Sequence, residues 1–388
     1  MSHYDDGYSI RAYGEMICDE ARFTPWHEAL RRHIHADSVV LDIGCGTGIM
    51  SFLACRYGAR RVFAVEPSVG IEIGKSCAAN IPGAERIEWI RGMSTEIDLP
   101  EKADLVVGDL HGNLPFFTGN IASLADARKR HLKPDGRLLP KRDLLYAAPA
   151  TAPEEMRRVD TPWRHNAFGL DLSAALPHMT NRYWRARPEP IAAGRLLAAP
   201  AHWGTVHYTD EETRALDRTL DWTLERDGML HGLYVWFDGL VDDGLGFSNS
   251  PLLPELVYGR CFFPLSEPVL AQAGDRMQTR LAVKRVQGDW VYRWDTRIET
   301  RTGERKATFR QSTFQLLPGQ SDLLRKSTAN YIPTLSEDGL IERSILEQMD
   351  GHRSLTDIAQ EMLRRFPGKF RDFDRALAAV AKLSSAHG

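Results

Sequence analysis

Over the first third of the chain, short apolar runs alternate with stretches of helical spacing. Val39-Val40-Leu41-Asp42-Ile43 is too short for a helix and reads as a buried strand. Further strands are expected at Arg61–Val65, Ile87–Ile90, Leu105–Val107 and Leu138–Leu139. A helical pattern, Ala12 to Ile34, precedes the first strand. Strands separated by helical stretches predict a doubly wound α/β sheet over residues 39–147, covered on both faces. Lys133-Pro134-Asp135-Gly136 reads as the turn that closes a helix and launches the fifth strand.

After residue 147 the period changes. Gly204–Tyr208, Leu230–Phe237, Met277–Val286 and Trp290–Ile298 alternate in short segments separated by turn residues. Val286-Gln287-Gly288-Asp289 reads as a hairpin connection. A β-barrel or sandwich is expected over 148–320, interrupted by an irregular, proline-bearing excursion at about 173–200. From about 321 the pattern turns helical. Leu355, Ile358, Ala359, Met362, Leu363 and Phe366 recur at helical spacing behind Ser354, a cap, and Ala376, Leu377, Val380, Ala381 and Leu383 form a second stripe. Residues 321–388 are read as a small third module, and residues 1–38 as helices ahead of the sheet.

Composition narrows the class. The chain has 388 residues, 43% of them hydrophobic, enough for two or three cores. Net charge is −3, which gives no basic footprint for nucleic acid. Arg128-Lys129-Arg130-His131 reads as a solvated helix face. Cys18, Cys45, Cys55, Cys77 and Cys261 are scattered without metal-ligand spacing and read as reduced thiols, the cytoplasmic pattern. No apolar run approaches a membrane span, and the polar stretch Met1 to Asp6 reads as no signal peptide.

The first strand runs into Gly44-Cys45-Gly46-Thr47-Gly48, and the second ends in Glu66. The glycines let the backbone turn sharply and lie against a ligand. Glu66 is placed to accept hydrogen bonds from both hydroxyls of a ribose. Dinucleotide sites prefer a longer glycine spacing that admits a pyrophosphate. The tighter spacing here, with Asp42 two residues ahead, is the form of class I S-adenosylmethionine methyltransferases.

The first 320 residues resemble the protein arginine methyltransferase family. Tyr4-Asp5-Asp6-Gly7-Tyr8 is similar to its N-terminal tyrosine motif, and Glu15-Met16 with Asp19-Glu20-Ala21-Arg22 to its next helix. Val39 to Gly48 and Val62 to Glu66 match its nucleotide motifs, and Gly92-Met93-Ser94-Thr95-Glu96 its adenine-edge position. Leu132 to Gly136 and Phe247-Ser248-Asn249-Ser250-Pro251 match further landmarks. The resemblance implies a Rossmann-like half, a β-barrel half, a dimerisation arm at about 173–200 and a homodimer. It also implies S-adenosyl-L-methionine as cofactor, bound by Arg22, Asp42, Gly44, Gly46, Gly48, Glu66, Ser94 and Thr95, with Arg22 clamping the carboxylate.

The acceptor loop departs from that family, which holds its guanidinium substrate with two glutamates. Here the loop is Gly108-Asp109-Leu110-His111-Gly112-Asn113-Leu114-Pro115-Phe116-Phe117-Thr118, with Asp109 at the first position and neutral Thr118 at the second. The Thr-His-Trp loop is replaced by Leu256-Val257-Tyr258. A guanidinium is charged at all working pH values and needs fixed negative charge in a desolvated site. Removing one partner of a buried pair costs on the order of 3–5 kcal/mol. Arginine is therefore not the expected substrate.

Residues 329 to 384 resemble the peptide-chaperone domain of pyrroloquinoline quinone biosynthesis, the recognition element for ribosomally made, modified peptides. The matching residues are Ile332 to Gly339, Ile345 to Gly351, Ser354 to Ala359 and Arg365-Phe366-Pro367. The resemblance implies a winged-helix-like module that receives a leader peptide as an added strand. The alternative for this module is an appendage that packs or dimerises.

Together these features predict a cytoplasmic methyltransferase acting on a peptide or protein, with a leader-bearing precursor peptide as the expected partner, by N- or O-methylation. Asp109 and His111 are the candidate catalytic residues. Asn113, Thr118, Asp171 and Tyr258 are the candidate substrate contacts. His111 is expected to orient or deprotonate the acceptor. The rival readings are an arginine methyltransferase with a rearranged loop, a non-catalytic peptide-binding scaffold and a small-molecule methyltransferase.

Overall fold

The computed structural model describes residues 8–387, except 210–212, 214, 287, 315–325 and 327–329. Tyr4 to Gly7 of the N-terminal motif and Gln287 of the expected hairpin therefore lie outside the described residues. The chain divides into two compact units, Met1–Leu317 and Pro318–Gly388.

The first unit opens with α1 (Ile10–Cys18) and α2 (Glu20–His33). The helical pattern read as one stretch breaks at Asp19, whose side chain accepts from the Arg22 amide and starts the second helix. A parallel sheet follows: β1 (Val39–Ile43), β2 (Arg61–Glu66), β3 (Ile87–Arg91), β4 (Ala103–Val107) and β5 (Leu132–Leu139). Its order is β3-β2-β1-β4-β5, so the strand order reverses between β1 and β4. Helices α3 (Ile49–Arg56), α4 (Gly70–Ala78) and α5 (Asn120–Arg130) connect the strands. All five residues of β1 are buried, as an apolar run covered on both faces requires. Lys133 to Gly136 do not precede the fifth strand. They form an excursion within it, because the ladder passes from Ala103↔Leu132 directly to Leu105↔Arg137.

The second layer starts earlier than the change of period suggests. β6 (Arg142–Ala150) pairs with a later strand and not with β5. It is followed by α6 (Pro153–Arg164), which the sequence reading had missed, then α7 (Leu176–Thr180) and β7 (Trp184–Arg185). Next come β8 (Ala201–His207), β9 (Ala215–Thr223), β10 (Gly228–Asp242), β11 (Leu245–Ser248) and β12 (Cys261–Ala271). The last strands are β13 (Arg276–Val286), β14 (Asp289–Glu299) and β15 (Arg305–Ser312). They build a six-stranded sheet, β7-β12-β10-β6-β8 with β11 on β10, and a four-stranded one, β15-β14-β13-β9. The two sheets share a core. Trp203 Nε1 of β8 donates to the Leu281 carbonyl of β13 at 2.8 Å, and Trp294 Nε1 of β14 to the Pro264 carbonyl of β12 at 3.0 Å. The excursion at 173–200 contains α7, β7 and single helical turns.

The second unit holds α8 (Glu337–Leu346), α9 (Leu355–Arg365) and α10 (Phe373–His387) around its own core of Ile341, Ile345, Ile358, Ala359, Met362, Phe370, Ala376 and Val380. Ser354 and Asp357 form a reciprocal capping box at the start of α9. No strand occurs among the described residues of this unit, so the sheet edge of a winged-helix-like module is not among them. Among the described residues, no helix is long and apolar enough to cross a membrane.

Candidate active site

Open parallel sheets bind ligands beyond the carboxyl ends of their strands, at the point where the order reverses. Here that point lies between β1, which ends at Ile43, and β4, which ends at Val107. A cavity of about 370 Å³ occupies it. One wall is the glycine turn. Gly44 and Cys45 donate to the Val65 carbonyl at 2.8 and 3.1 Å, which ties the turn to the end of β2. Gly44, Gly46 and Gly48 take φ of 66°, 55° and 83°, a region that disfavours side chains. A Cβ on Gly46 would stand 2.6 Å from the ring of Tyr13, so α1 lies directly over the cradle. Tyr13 is held there by a 3.2 Å hydrogen bond between its hydroxyl and that of Ser68.

Glu66, at the tip of β2, lines the cavity and is itself oriented. Its carboxylate accepts from the amides of Gly46 at 3.0 Å and Ser68 at 2.9 Å. Asp42 stays behind the turn, buried in β1, and accepts from Ser51 Oγ at 2.6 Å. Burial pushes its carboxyl up to about 7, against the hydrogen bond from Ser51.

The opposite wall is the loop after β4. Asp109 is 6% exposed at its side chain and is fully engaged. Arg22 Nη1 donates to its Oδ2, and His111 Nδ1 lies 2.8 Å from its Oδ1. Tyr258 places its hydroxyl 2.5 and 2.6 Å from the two oxygens. Burial alone would raise the Asp109 carboxyl, but Arg22 and His111 bring it down to about 2. His111 reaches across to the second layer, where its Nε2 lies 3.0 Å from Asp143 Oδ2. Burial disfavours charge on that ring, yet Asp143 and Asp109 outweigh it and hold the imidazolium up to about 10. Beyond them, Phe117, Thr118 and the first turn of α5 complete the wall. The Oδ1 of Asn120 is the one buried, unpartnered side-chain atom among the described residues that line the cavity.

Residues 40–136 match the family model described as "Methyltransferase domain". Over these residues the chain is similar to methyltransferase domains. The chain is also 31% identical over 280 residues to the probable histone-arginine methyltransferase 1.4 of Arabidopsis thaliana, covering 69% of this chain and 53% of that one. It is 27% identical over 297 residues to protein arginine N-methyltransferase 2 of Xenopus tropicalis, covering 73% and 68%. The chain thus spans about half the length of several curated relatives it matches. Among solved structures, protein arginine methyltransferase 10 of Arabidopsis thaliana superimposes with a TM-score of 0.66 at 19% identity, over 78% of this chain and 97% of that one. The Trypanosoma brucei PRMT1 enzyme–prozyme complex with AdoHcy gives 0.67 at 20%, over 77% and 96%. These likenesses establish the fold of the first unit.

The residues of the methyltransferase domain fit S-adenosyl-L-methionine, its cofactor. Glu66 presents a carboxylate where a ribose edge would lie, the glycine turn leaves room for close approach, and the buried Arg22 Nε lacks a partner. Gly92, Met93 and Ser94 line the adenine end. Arg22, expected to clamp the carboxylate, does not line the cavity: it lies behind Asp109, giving Nη1 to that residue and Nη2 to the Met16 carbonyl at 2.6 Å, and only its Nε is left to offer.

The structure gathers Gly44, Gly46, Glu66, Ser94, Asp109, His111 and Thr118 around one cavity. Gly48 packs instead against Trp89, and Thr95 is exposed outside the lining. Tyr258 touches the site through Asp109. Three expected substrate contacts, Asn113, Asp171 and Tyr258, do not line the cavity. Asn113 lies behind the loop, where its carbonyl accepts from Asn249 Nδ2 at 3.1 Å and its amide group packs against Gly259. Asp171 is exposed after α6, where it accepts from the Ser173 amide at 2.9 Å in a local turn. His111 is enclosed between carboxylates and has no free nitrogen for taking a proton, so it is not a general base. Sequence reasoning had passed over Asp143, Tyr208, Tyr13 and Asn120. Asp143 carried a signal: in the alternating β6 it stands at an inward position, fully buried, next to exposed Arg142.

Proposed function

We propose that the chain is an S-adenosylmethionine-dependent methyltransferase that modifies a side chain or terminus of a peptide or protein. The observation that carries this reading is the cavity at the strand-order reversal, with Glu66 and the glycine turn on one side and Asp109, His111 and Thr118 on the other. S-adenosylmethionine would supply an electrophilic methyl carbon, which bonds to an acceptor lone pair as the carbon–sulfur pair stays on sulfur. The protein's task is positioning and water exclusion. Tyr13 covers the cradle, Glu66 fixes the sugar, and the rigid Asp109 cluster sets the floor. An acceptor that carries N–H or O–H releases its proton to water after transfer, since His111 offers no lone pair.

The second unit supports a peptide substrate. It is a separate compact body with its own core, and its sequence resembles a leader-peptide reader. We propose that it recruits a precursor peptide. A second reading, arginine N-methylation, is favoured by the names of the curated relatives. Mass spectrometry after incubation with methyl-labelled cofactor and candidate peptides tests both. A base-labile or amide-borne methyl supports the first reading, and methylarginine in the hydrolysate replaces it with the second. No transfer to any peptide, with intact cofactor binding, defeats both.

A homodimer is also proposed. It is supported by the exposed apolar run Phe168, Leu170 and Leu172, 85%, 56% and 41% exposed, at the entry to the 173–200 excursion.

A further inference from the structure

We propose that His111, hydrogen-bonded through each ring nitrogen to a buried carboxylate, is a built-in cation that fixes the charge class of the acceptor. Asp143 is the positioning residue that holds it there. This rests on the methyl-transfer reading of the cavity and names its acceptor as neutral or anionic, not a guanidinium or ammonium group.

The argument begins with a count of donors. Asp109 Oδ1 and Asp143 Oδ2 lie 2.8 and 3.0 Å from the two nitrogens of His111. Ionised carboxylates only accept, so both nitrogens must donate, and an imidazole with two N–H groups is a cation. The remaining donors around it point the same way. Tyr208 gives its hydroxyl to Asp143 Oδ2 at 2.7 Å, Tyr258 gives its own to Asp109, and Arg22 gives Nη1 to Asp109. Phe237 stacks on the imidazole at 5.2 Å, and Phe247 and Trp26 close the remaining sides. The His111 side chain is 2% exposed and that of Asp143 0%.

The charges that face this ring are therefore Asp109, Asp143 and Arg22, with His111 itself making the fourth. Two anions meet two cations, and the cluster is neutral before any acceptor arrives. An incoming guanidinium would meet no unengaged carboxylate in the cavity lining: Asp143 Oδ1 lacks a partner, but Asp143 is fully buried and does not line the cavity. Asp109 is saturated, and Glu66, the other carboxylate of the lining, holds two backbone amides and would give its remaining acceptor sites to the ribose. A buried cation without a partner is strongly disfavoured. A carboxamide, hydroxyl or carboxylate meets no such penalty. The pairing of His111 with Asp143 joins the loop after β4 to β6, so the charge setting is shared between the methyltransferase domain and the second layer.

Two measurements on the full chain test this. In nitrogen-15 spectra of histidine-labelled protein, His111 is expected to show both ring nitrogens protonated between about pH 6 and about pH 9. Asp143→Asn is expected to move its titration down by about one unit or more. A neutral His111 tautomer near neutral pH, or an unmoved titration in D143N, overturns the proposal. Calorimetry with N-acetyl-arginine amide, in the presence of S-adenosylhomocysteine, supplies the functional arm. His111→Gln removes one cation and is expected to tighten binding of that probe by about tenfold or more over the unmodified protein. Equal binding by both, with S-adenosylhomocysteine affinity retained, overturns this inference alone. Absence of S-adenosylhomocysteine binding by the unmodified protein defeats the methyl-transfer reading instead. If His111→Gln does not fold, the nitrogen-15 measurements decide.

Discussion

Trp290 Nε1, on β14, donates to the carbonyl oxygen of Thr118 at 2.9 Å, across from the second layer to the rim of the cavity. Thr118 sits there at φ 45°, the one described non-glycine residue with positive φ. A β-branched residue is unfavourable in that region and persists only where its surroundings hold it. Phe116 rests against the Trp290 ring, with centroids 4.8 Å apart, so the same tryptophan fixes two positions of the acceptor loop.

That relationship predicts the effect of removing the strain. Thr118→Gly should relieve on the order of 1–2 kcal/mol at positive φ. The added freedom of glycine in the unfolded chain offsets about 0.5–1 kcal/mol of it. The expected outcome is a slight rise in melting temperature by calorimetry, whereas Trp290→Ala should lower it. A fall for Thr118→Gly would mean that the side chain makes contacts worth more than the strain.

Glu66 offers the most direct check on the cofactor side. Its oxygens accept from two backbone amides, so Glu66→Gln leaves one amide facing an NH2 group as well as weakening any hydroxyl contact. Affinity for S-adenosylhomocysteine should fall by about 1–3 kcal/mol, roughly five- to 150-fold. Unchanged affinity in calorimetry would remove Glu66 from the site.

What the sequence made readable follows from local rules. β1 and the glycine turn were legible because a covered parallel strand must be an apolar run, and a turn at positive φ selects glycine. The helices of the second unit were legible from apolar spacing and from Ser354 at a cap. The charged cluster was not. His111 and Asp143 are 32 residues apart and meet only because β6 crosses into the second layer beside the end of β4. Asn113 and Asp171 misled for the opposite reason: polar loop residues satisfy backbone groups nearby as readily as they face a ligand. α6 escaped notice because it carries Pro153 at its start and Pro162 inside, within a stretch read for strand periodicity.

The cluster also sets a pH dependence. His111 titrates near 6.5 in an unfolded chain and is raised to about 10 in the fold. The stability it contributes is therefore complete below about 6.5 and lost as pH rises through about 10. Asp109 has the opposite sign. Its lowered value of about 2 means that its contribution is present above the ordinary aspartate range and lost on acidification through about 2. Urea unfolding should thus show the protein losing stability from neutral pH towards about pH 10 more steeply than His111→Gln does. Parallel profiles for the two would mean that the ring carries no charge in the native state.

The separate core of the second unit predicts that it can be removed. Ile341, Ile358, Met362, Ala376 and Val380 pack among themselves, and the first unit keeps its own buried core. A chain ending before Pro318 should retain S-adenosylhomocysteine affinity within about twofold, because the cavity is built wholly from the first unit. If the second unit recruits the substrate, the same truncation should raise KM for a leader-bearing peptide while leaving kcat nearly unchanged, since tethering raises local concentration and leaves the reacting groups as they were. Equal KM for the two chains would make the second unit structural.

The apolar run after α6 gives the last test. Phe168 at 85% exposure is costly to leave in water, while Asn166 fixes the loop by accepting from the Phe168 amide at 3.1 Å and donating to the Leu170 carbonyl at 2.7 Å. A rigid loop that presents an exposed phenylalanine and two leucines is suited to enter a complementary surface, and covering one such side chain is worth about 1.5–3 kcal/mol. In a two-fold dimer each copy would contribute the contact once, so Phe168→Asp removes it twice. If the proposed dimer forms through this loop, sedimentation should show a dimer for the unmodified protein and a monomer for the variant, with cofactor affinity preserved because the loop lies outside the cavity lining. A dimer that survives Phe168→Asp with Leu170→Asp would place the interface elsewhere on the chain.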